Sequence, residues 1–229
     1  MNFNCSRLLK NYWITIFIPS FLRFNYYRLS RSLDKTFQFQ GKNYTYFYHW
    51  YNTTWNNERA IEIPISYEFI NKYHDNDILE IGNVLSHYFD INHDVIDKYE
   101  KADGVINQDV VDFQPNKKYK LIISISTLEH VGWDEIPQDP HKIFPALDNL
   151  KKCLTPGGKL VVTIPIGLNP MLDKFLETSK IKFTENYYLK RISKENKWIE
   201  LNSDFCRAEF GYPFTAANVL FLGIYHNSK

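Results

Sequence analysis

Between residues 77 and 166, short runs rich in isoleucine, leucine and valine recur, and the stretches between them carry helix or turn character. The runs are "DILEIG" (77–82), "HDVID" (93–97), "GVIN" (104–107), "KLIISIS" (120–126) and "KLVVTIPI" (159–166), with helices expected near 83–90 and 141–153. Strands this continuously apolar need cover on both faces, which a parallel sheet with helices on either side supplies. The pattern therefore predicts an α/β fold: a doubly wound, mostly parallel sheet in three layers, α/β/α. After residue 166, "NYYLKRIS", "KWIELN" and "AANVLFLGIYH" are strand-like and leave little room for helices, so the sheet is expected to finish with an antiparallel strand pair. A chain of 229 residues, 44% of them hydrophobic, is long enough for one well-filled core.

Ahead of this alternation, "TFQFQGKNYTYFYHWY" (36–51) alternates aromatic and polar residues around "QGKN" and predicts a β-hairpin. "NNERAIEIPISYEFINKY" (56–73) predicts a helix, with Pro64 marking an early break or first turn. Residues 36–76 are thus an N-terminal addition to a domain spanning 36–229. Residues 1–35 form a separate basic, aromatic segment. Before Asp34 there are five basic residues and no acid, whereas the rest of the chain has 22 basic against 26 acidic residues. The apolar run Tyr12 to Leu22 contains Pro19 and is shorter than the ~20 residues a spanning helix requires. "RFNYYR" after the run offers no small-residue cleavage site, which argues against a signal peptide. Residues 1–33 are expected either to lie on an anionic membrane surface or to pack on the domain as a helix. The localisation expected is cytoplasmic, peripheral to a membrane if the first alternative holds. Cys5, Cys153 and Cys206 are odd in number and widely spaced, which fits a reducing compartment, and in such a compartment the Asn52-Thr53-Thr54 sequon has no role. Neither the cysteines nor the seven histidines have metal-ligand spacing, so no metal is expected. The slightly acidic main domain argues against nucleic acid.

In a doubly wound sheet, ligands bind beyond the carboxyl ends of the strands. Glu80, Gly82, Asp97, Asp109 and Ser126 all fall at such ends. Gly82 allows close backbone approach, and Asp97 stands where a carboxylate can bridge two ribose hydroxyls. Taken singly, Asp97 and Asp109 read as ordinary solvated turn residues; together, in register with four strand ends, they favour a site.

Over roughly Asp77 to Ile166 the chain resembles the class I S-adenosylmethionine-dependent methyltransferases. "ILEIGNVLSH", "VID", "NQDVVDF", "YKLIISISTLEHVGW" and "LKKCLTPGGKLVVTIP" carry the resemblance, the last two most specifically. The resemblance implies a Rossmann-like fold and S-adenosylmethionine as cofactor. It further implies that Glu80 and Gly82 shape the methionine end of the pocket, Asp97 holds the ribose, Asp109 faces the adenine amino group and Ser126 borders the methionine. The family's loop usually continues with glycines where this chain has Val84 and Ser86. A dinucleotide needs those glycines for its pyrophosphate, but S-adenosylmethionine has no phosphate, so one close approach at Gly82 is expected to suffice, the alternative being a degenerate glycine loop that no longer binds cofactor. Asn83 and Ser86 are then free to bond the cofactor or cap the following helix. The loop also argues against NAD, which requires GxGxxG, and no GxxxxGK[ST] is present for ATP.

"LEHVGWDE" follows the fourth strand and is expected to line the transfer pocket. His130 there is placed either to accept a proton from a hydroxyl nucleophile or to hold its loop through a hydrogen bond. Glu129, Asp134 and Glu135 are further candidates for a base or a substrate grip. "FYHWYNTTWNNERAIE" (47–62) is dense in aromatic and polar side chains, making His49, Trp55, Glu58 and Arg59 candidates for an acceptor wall, with packing on the sheet edge as the alternative. The functional expectation is methyl transfer, as O-methylation, to a small polar or carbohydrate-like acceptor. The alternative is a non-catalytic protein of the same fold that binds a partner or a membrane.

Overall fold

The computed structural model describes residues 36–202 and 205–228, together with Leu22 and Asn25. The segment expected to lie on a membrane falls outside the described residues apart from those two. Strands β1 (Thr36–Phe39) and β2 (Lys42–Thr45) form the expected hairpin, paired antiparallel from Thr36 opposite Thr45 to Phe39 opposite Lys42. The larger sheet contains β3 (Ile78–Ile81), β4 (Asp94–Ile96), β5 (Val105–Ile106), β6 (Tyr119–Ile125), β7 (Leu154–Pro165), β8 (Glu185–Arg191), β9 (Trp198–Leu201) and β10 (Val219–His226). Its order is β5-β4-β3-β6-β7-β10-β8-β9. From β5 to β7 every pairing is parallel. β10 runs antiparallel to both β7 and β8, and β9 antiparallel to β8. The expected Rossmann-like sheet is therefore present, and its antiparallel end has three strands, because β9 adds to the pair. Strand order reverses between β3 and β6, and such a switch point opens a crevice at the carboxyl ends.

Side chains alternate across the strands and divide the core in two. Leu79, Ile81, Ile122 and Val162 face α2 (Ile143–Lys152) and α3 (Pro170–Glu177), which bury Ala146, Leu150, Leu172 and Phe175 against them. Ile78, Leu121, Ile123 and Ile125 face the hairpin and α1 (Arg59–Ile70), which contribute Phe37, Phe39, Ala60, Ile61 and Ile65. This gives three layers, one outer layer being part helix and part hairpin.

Three local expectations need correction. Between β3 and β4 there is one 3-10 turn, Leu85–His87, rather than a helix over 83–90. Glu80 Oε1 accepts from both Val84 N and Leu85 N and ties the chain down before a helix can propagate. Pro64 lies within α1 rather than at its first turn. A helical proline orphans the carbonyl four residues earlier, and here Phe47 N donates to that oxygen, Ala60 O, at 2.9 Å. The "TPGG" segment lies inside β7 as an irregularity in the β6–β7 register, so the strand begins at Leu154 rather than Lys159. The helix α3, over which the sequence carries no expectation, is capped by Asn169, which accepts from Met171 N and Leu172 N, with Pro170 at its first position.

Candidate functional site

A cavity of about 380 Å³ opens at the carboxyl ends of β3, β4 and β6. Ile81, Ile96, Val110 and Val131 supply its apolar surface, and Gly82, Asn83, Asp97, Asp109, Thr127 and His130 are among its polar or backbone walls. A cleft of this size with a few convergent polar groups is characteristic of small-molecule sites.

The loop after β3 is held from below. Glu80 is fully buried; besides the two backbone bonds from the loop, its Oε2 meets His93 Nε2 at 2.8 Å. Its role is thus to brace the loop, and it does not line the cavity. Gly82 has φ +84° and makes the close approach that its position suggested, but the neighbour it meets is Thr127: a Cβ would lie 2.2 Å from Thr127 Oγ1. Asp97 lines the cavity while its carboxylate organises the backbone, Oδ2 accepting from Asn83 N at 3.1 Å and Oδ1 from Tyr99 N and Glu100 N at 2.8 Å each. Of the roughly four acceptor positions of a carboxylate, one remains, on Oδ2. Asn83 is committed within the protein, Nδ2 donating to Glu100 Oε1 at 2.7 Å and Oδ1 accepting from Ser86 Oγ.

Across the cavity, Asp109 belongs to a four-charge network. Lys98 Nζ lies 2.9 Å from Asp109 Oδ2 and 3.0 Å from Glu135 Oε2, and Lys142 Nζ contacts the same two oxygens at 2.5 and 2.6 Å. Burial alone would raise the Asp109 carboxyl, but Lys142 and Lys98 outweigh it and hold the group at about 2. Burial would likewise raise Glu135, and the same two lysines bring it below the usual carboxylate range. Lys98 follows Asp97 directly and could have been inferred from the sequence. Lys142 could not, because only the packing of α2 carries it to Asp109.

The turn after β6 points its residues in two directions. Thr127, His130 and Val131 line the cavity. Ser126, at φ +41°, turns away and donates to Glu62 Oε1, so Thr127 occupies the place expected of Ser126. His130 is half-exposed, and its Nδ1 meets Asp134 Oδ2 at 2.5 Å. With Asp134 ionised, Nδ1 must donate, which leaves Nε2 as the acceptor. This has the geometry of an oriented base, and the same bond supports the loop.

Of the four expected acceptor-wall residues, none lines this cavity. His49 is half-buried, with its ring stacked at 15° on Phe47, and Trp55 is buried. Glu58 and Arg59, at the start of α1, are drawn inward. Glu58 Oε2 accepts from Ala217 N, and burial together with nearby Glu62 raises its carboxyl. Arg59 Nη1 bonds Glu62 Oε2 at 2.7 Å and Ile125 O at 3.2 Å. Burial opposes its charge, but Glu62 and Glu58 hold the guanidinium protonated. Glu62, absent from the sequence-derived candidates, is therefore the residue that couples α1 to the turn after β6. Glu129 completes this buried group: burial, with Glu62 adding to it, pushes its carboxyl well above the ordinary range.

No family model matches the chain, and no curated protein matches it. Solved structures do resemble it. The N-methyltransferase NodS from Bradyrhizobium japonicum WM9, in complex with S-adenosyl-L-homocysteine, is 15% identical with a TM-score of 0.48, covering 75% of this chain and 88% of that one. A 1,6-didemethyltoxoflavin-N1-methyltransferase from Burkholderia thailandensis is 10% identical with a TM-score of 0.46, covering 75% and 80%. An rRNA methylase from Streptococcus thermophilus is 13% identical with a TM-score of 0.41, covering 72% and 96%.

Proposed function

We propose that this chain is an S-adenosylmethionine-dependent methyltransferase acting on a hydroxyl of a small polar or carbohydrate-like acceptor. The observation that carries the reading is the placement of Asp97. It stands at the second strand's carboxyl end, beside the switch point, with one acceptor position open onto a cavity walled by Ile96, Val110 and Val131. A carboxylate beside an apolar slot suits a nucleoside: hydroxyls for the carboxylate, a flat base for the slot. No phosphate-binding glycine loop is present, in keeping with a cofactor that has no phosphate.

When bound, S-adenosylmethionine supplies a sulfonium-activated methyl group, and its transfer leaves S-adenosylhomocysteine. The protein's share is alignment, worth several kcal/mol, and removal of the acceptor proton. His130 Nε2 is the group placed to take that proton, with Asp134 fixing the tautomer and stabilising the imidazolium that forms.

Calorimetric titration with S-adenosylhomocysteine tests the reading, with saturable binding the expected result. Because Asp97 also braces backbone, Val131→Trp is the sharper variant; it fills the apolar wall without touching the Asp97 bonds and should abolish binding in a folded protein. Absence of binding to the parent chain would leave the alternative, a protein of this fold that acts by binding. For that alternative, and as an accessory to the enzyme, the five positive charges of residues 1–33 support attachment to an anionic membrane surface.

A further inference from the structure

Exposed apolar side chains are unevenly distributed over the molecule. Among the described residues, ten large hydrophobic side chains are exposed: Leu22, Trp50, Tyr51, Tyr67, Tyr99, Ile106, Ile136, Ile192, Ile199 and Tyr212. Single exposed hydrophobics need no explanation, but a face that collects them does. Seven of the ten stand at the carboxyl ends of the parallel strands, around the cavity. Tyr99 follows β4, Ile106 ends β5, and Ile136 lies between β6 and α2, one residue after Glu135 of the cavity wall. β8 runs in the same direction as β7, each being antiparallel to β10, so Ile192 just past its end and Tyr212 ahead of β10 belong to that face as well. Trp50 and Tyr51 join it from the segment before α1: the Tyr51 ring stacks at 4.6 Å on His87, in the turn after β3, and Trp50 meets Tyr51 edge-on at 6.2 Å. The opposite end differs. Its connections, 71–77, 114–118 and 178–184, expose none of the ten and carry Lys72, Lys118, Lys180 and Lys182 at the surface.

From this polarity we infer that the face bearing the cavity docks on a lipid bilayer, with the cavity opening toward the headgroup layer. The seven side chains come from six separate segments and surround an opening, whereas a protein interface needs a packed, continuous core. Shallow insertion needs only protruding side chains, and Ile136 is completely exposed. Trp and Tyr, which supply four of the seven, are the residues that settle at the level of the headgroups. Charges on this face are mixed, with Lys101 and Lys194 exposed alongside Asp103 and Glu195. Attachment here is therefore by apolar insertion, which distinguishes it from electrostatic anchoring through residues 1–33. The docking goes beyond the methyltransferase reading and stands whether or not the cavity holds a cofactor.

The test is co-sedimentation of the full chain with phosphatidylcholine vesicles, which carry no net charge. Binding is expected, and salt at about 0.5 M should not weaken it, because salt screens charge and leaves apolar insertion in place. Ile136→Asp and Tyr212→Asp should each weaken binding at least about fivefold, and the double variant should lose it, since a carboxylate resists transfer into the membrane. Tyr67→Asp, on the flank of α1 away from the cavity, should bind as the parent does. Neither Ile136 nor Tyr212 lines the cavity, so the melting temperature and S-adenosylhomocysteine affinity of the double variant should be unchanged. Absence of sedimentation, binding confined to vesicles containing phosphatidylglycerol and lost in salt, or a double variant that binds like the parent would each overturn the inference. So would an equal loss with Tyr67→Asp. Self-association of the chain without vesicles, abolished in the double variant, would assign the face to a second copy and overturn it too. Titration of S-adenosylhomocysteine in the same samples keeps the two readings apart. Vesicle binding without cofactor binding removes the methyltransferase reading alone, and cofactor binding without vesicle binding removes the docking alone.

Discussion

Substitution of Gly82 by alanine tests how the cavity wall is built. The residue has φ +84°, and an added Cβ would lie 2.2 Å from Thr127 Oγ1, 2.7 Å from its Cγ2 and 2.9 Å from its Cβ. Left-handed backbone costs a residue with a Cβ about 1–2 kcal/mol. The overlap adds a typical overpacking cost of about 1–3 kcal/mol, because Thr127 must move, and it is anchored by its Oγ1 donating to Ile125 O at 3.1 Å. The expected loss for Gly82→Ala is therefore roughly 2–5 kcal/mol, measured as a lower urea midpoint with unchanged slope. Thr127→Ala alone should cost about 1 kcal/mol for its hydrogen bond. It also removes the two atoms nearest the new Cβ apart from Thr127's own Cβ. The double variant should accordingly recover most of the overpacking cost and retain the backbone cost, a favourable coupling of about 1–2 kcal/mol in a double-mutant cycle. A Gly82→Ala protein within about 0.5 kcal/mol of the parent, or strict additivity in the cycle, would refute the account of this contact.

Three further outcomes follow from the structure. Burial raises the Asp173 carboxyl to about 6, with Glu177 adding to the shift and Gly167 N opposing it. The folded state then holds a proton that the unfolded chain releases, so stability should fall by ~1–2 kcal/mol as pH rises from roughly 4 to about 6, and Asp173→Asn should flatten that slope in urea titrations across the range. His130→Ala should slow single-turnover methyl transfer by about a hundredfold at saturating cofactor while leaving S-adenosylhomocysteine affinity nearly unchanged; parallel losses of about 1 kcal/mol in binding and stability would assign it to loop support instead. Residues 1–33 should draw the protein to anionic vesicles, at about 1 kcal/mol per basic residue and weakening with salt, so co-sedimentation unaffected by deleting the segment would reject the anchor.

Much of the sheet was legible because continuous apolar strands leave few ways to cover both faces, and the runs at 77–82, 93–97, 104–107 and 120–126 all correspond to parallel strands. Gly82 was legible in part: its backbone needs glycine's freedom, but the neighbour it approaches is Thr127, which lies 45 residues away. Local patterns misled where a long-range bond replaced a local one. Pro64 should break a helix, and does not, because Phe47 N satisfies the orphaned Ala60 carbonyl. Residues 83–90 have helical character, and Glu80 takes their amides before a helix forms.

What the sequence determined by itself is the class of fold and the strand ends at which chemistry would be placed, because both follow from the period and order of apolar segments along the chain. Which side chains face the cavity was decided by the tertiary structure. Ser126 and Thr127 are neighbours at the end of one strand, yet the left-handed turn at Ser126 sends its hydroxyl to Glu62 and leaves Thr127 on the cavity side. Glu58 and Arg59 read as acceptor-wall candidates in "NNERAIE"; α1 packs its first turn against the end of β6 and draws them into a buried group with Glu62 and Glu129. Burial and charge pairing are sums over residues distant in the chain, so no local pattern encodes them.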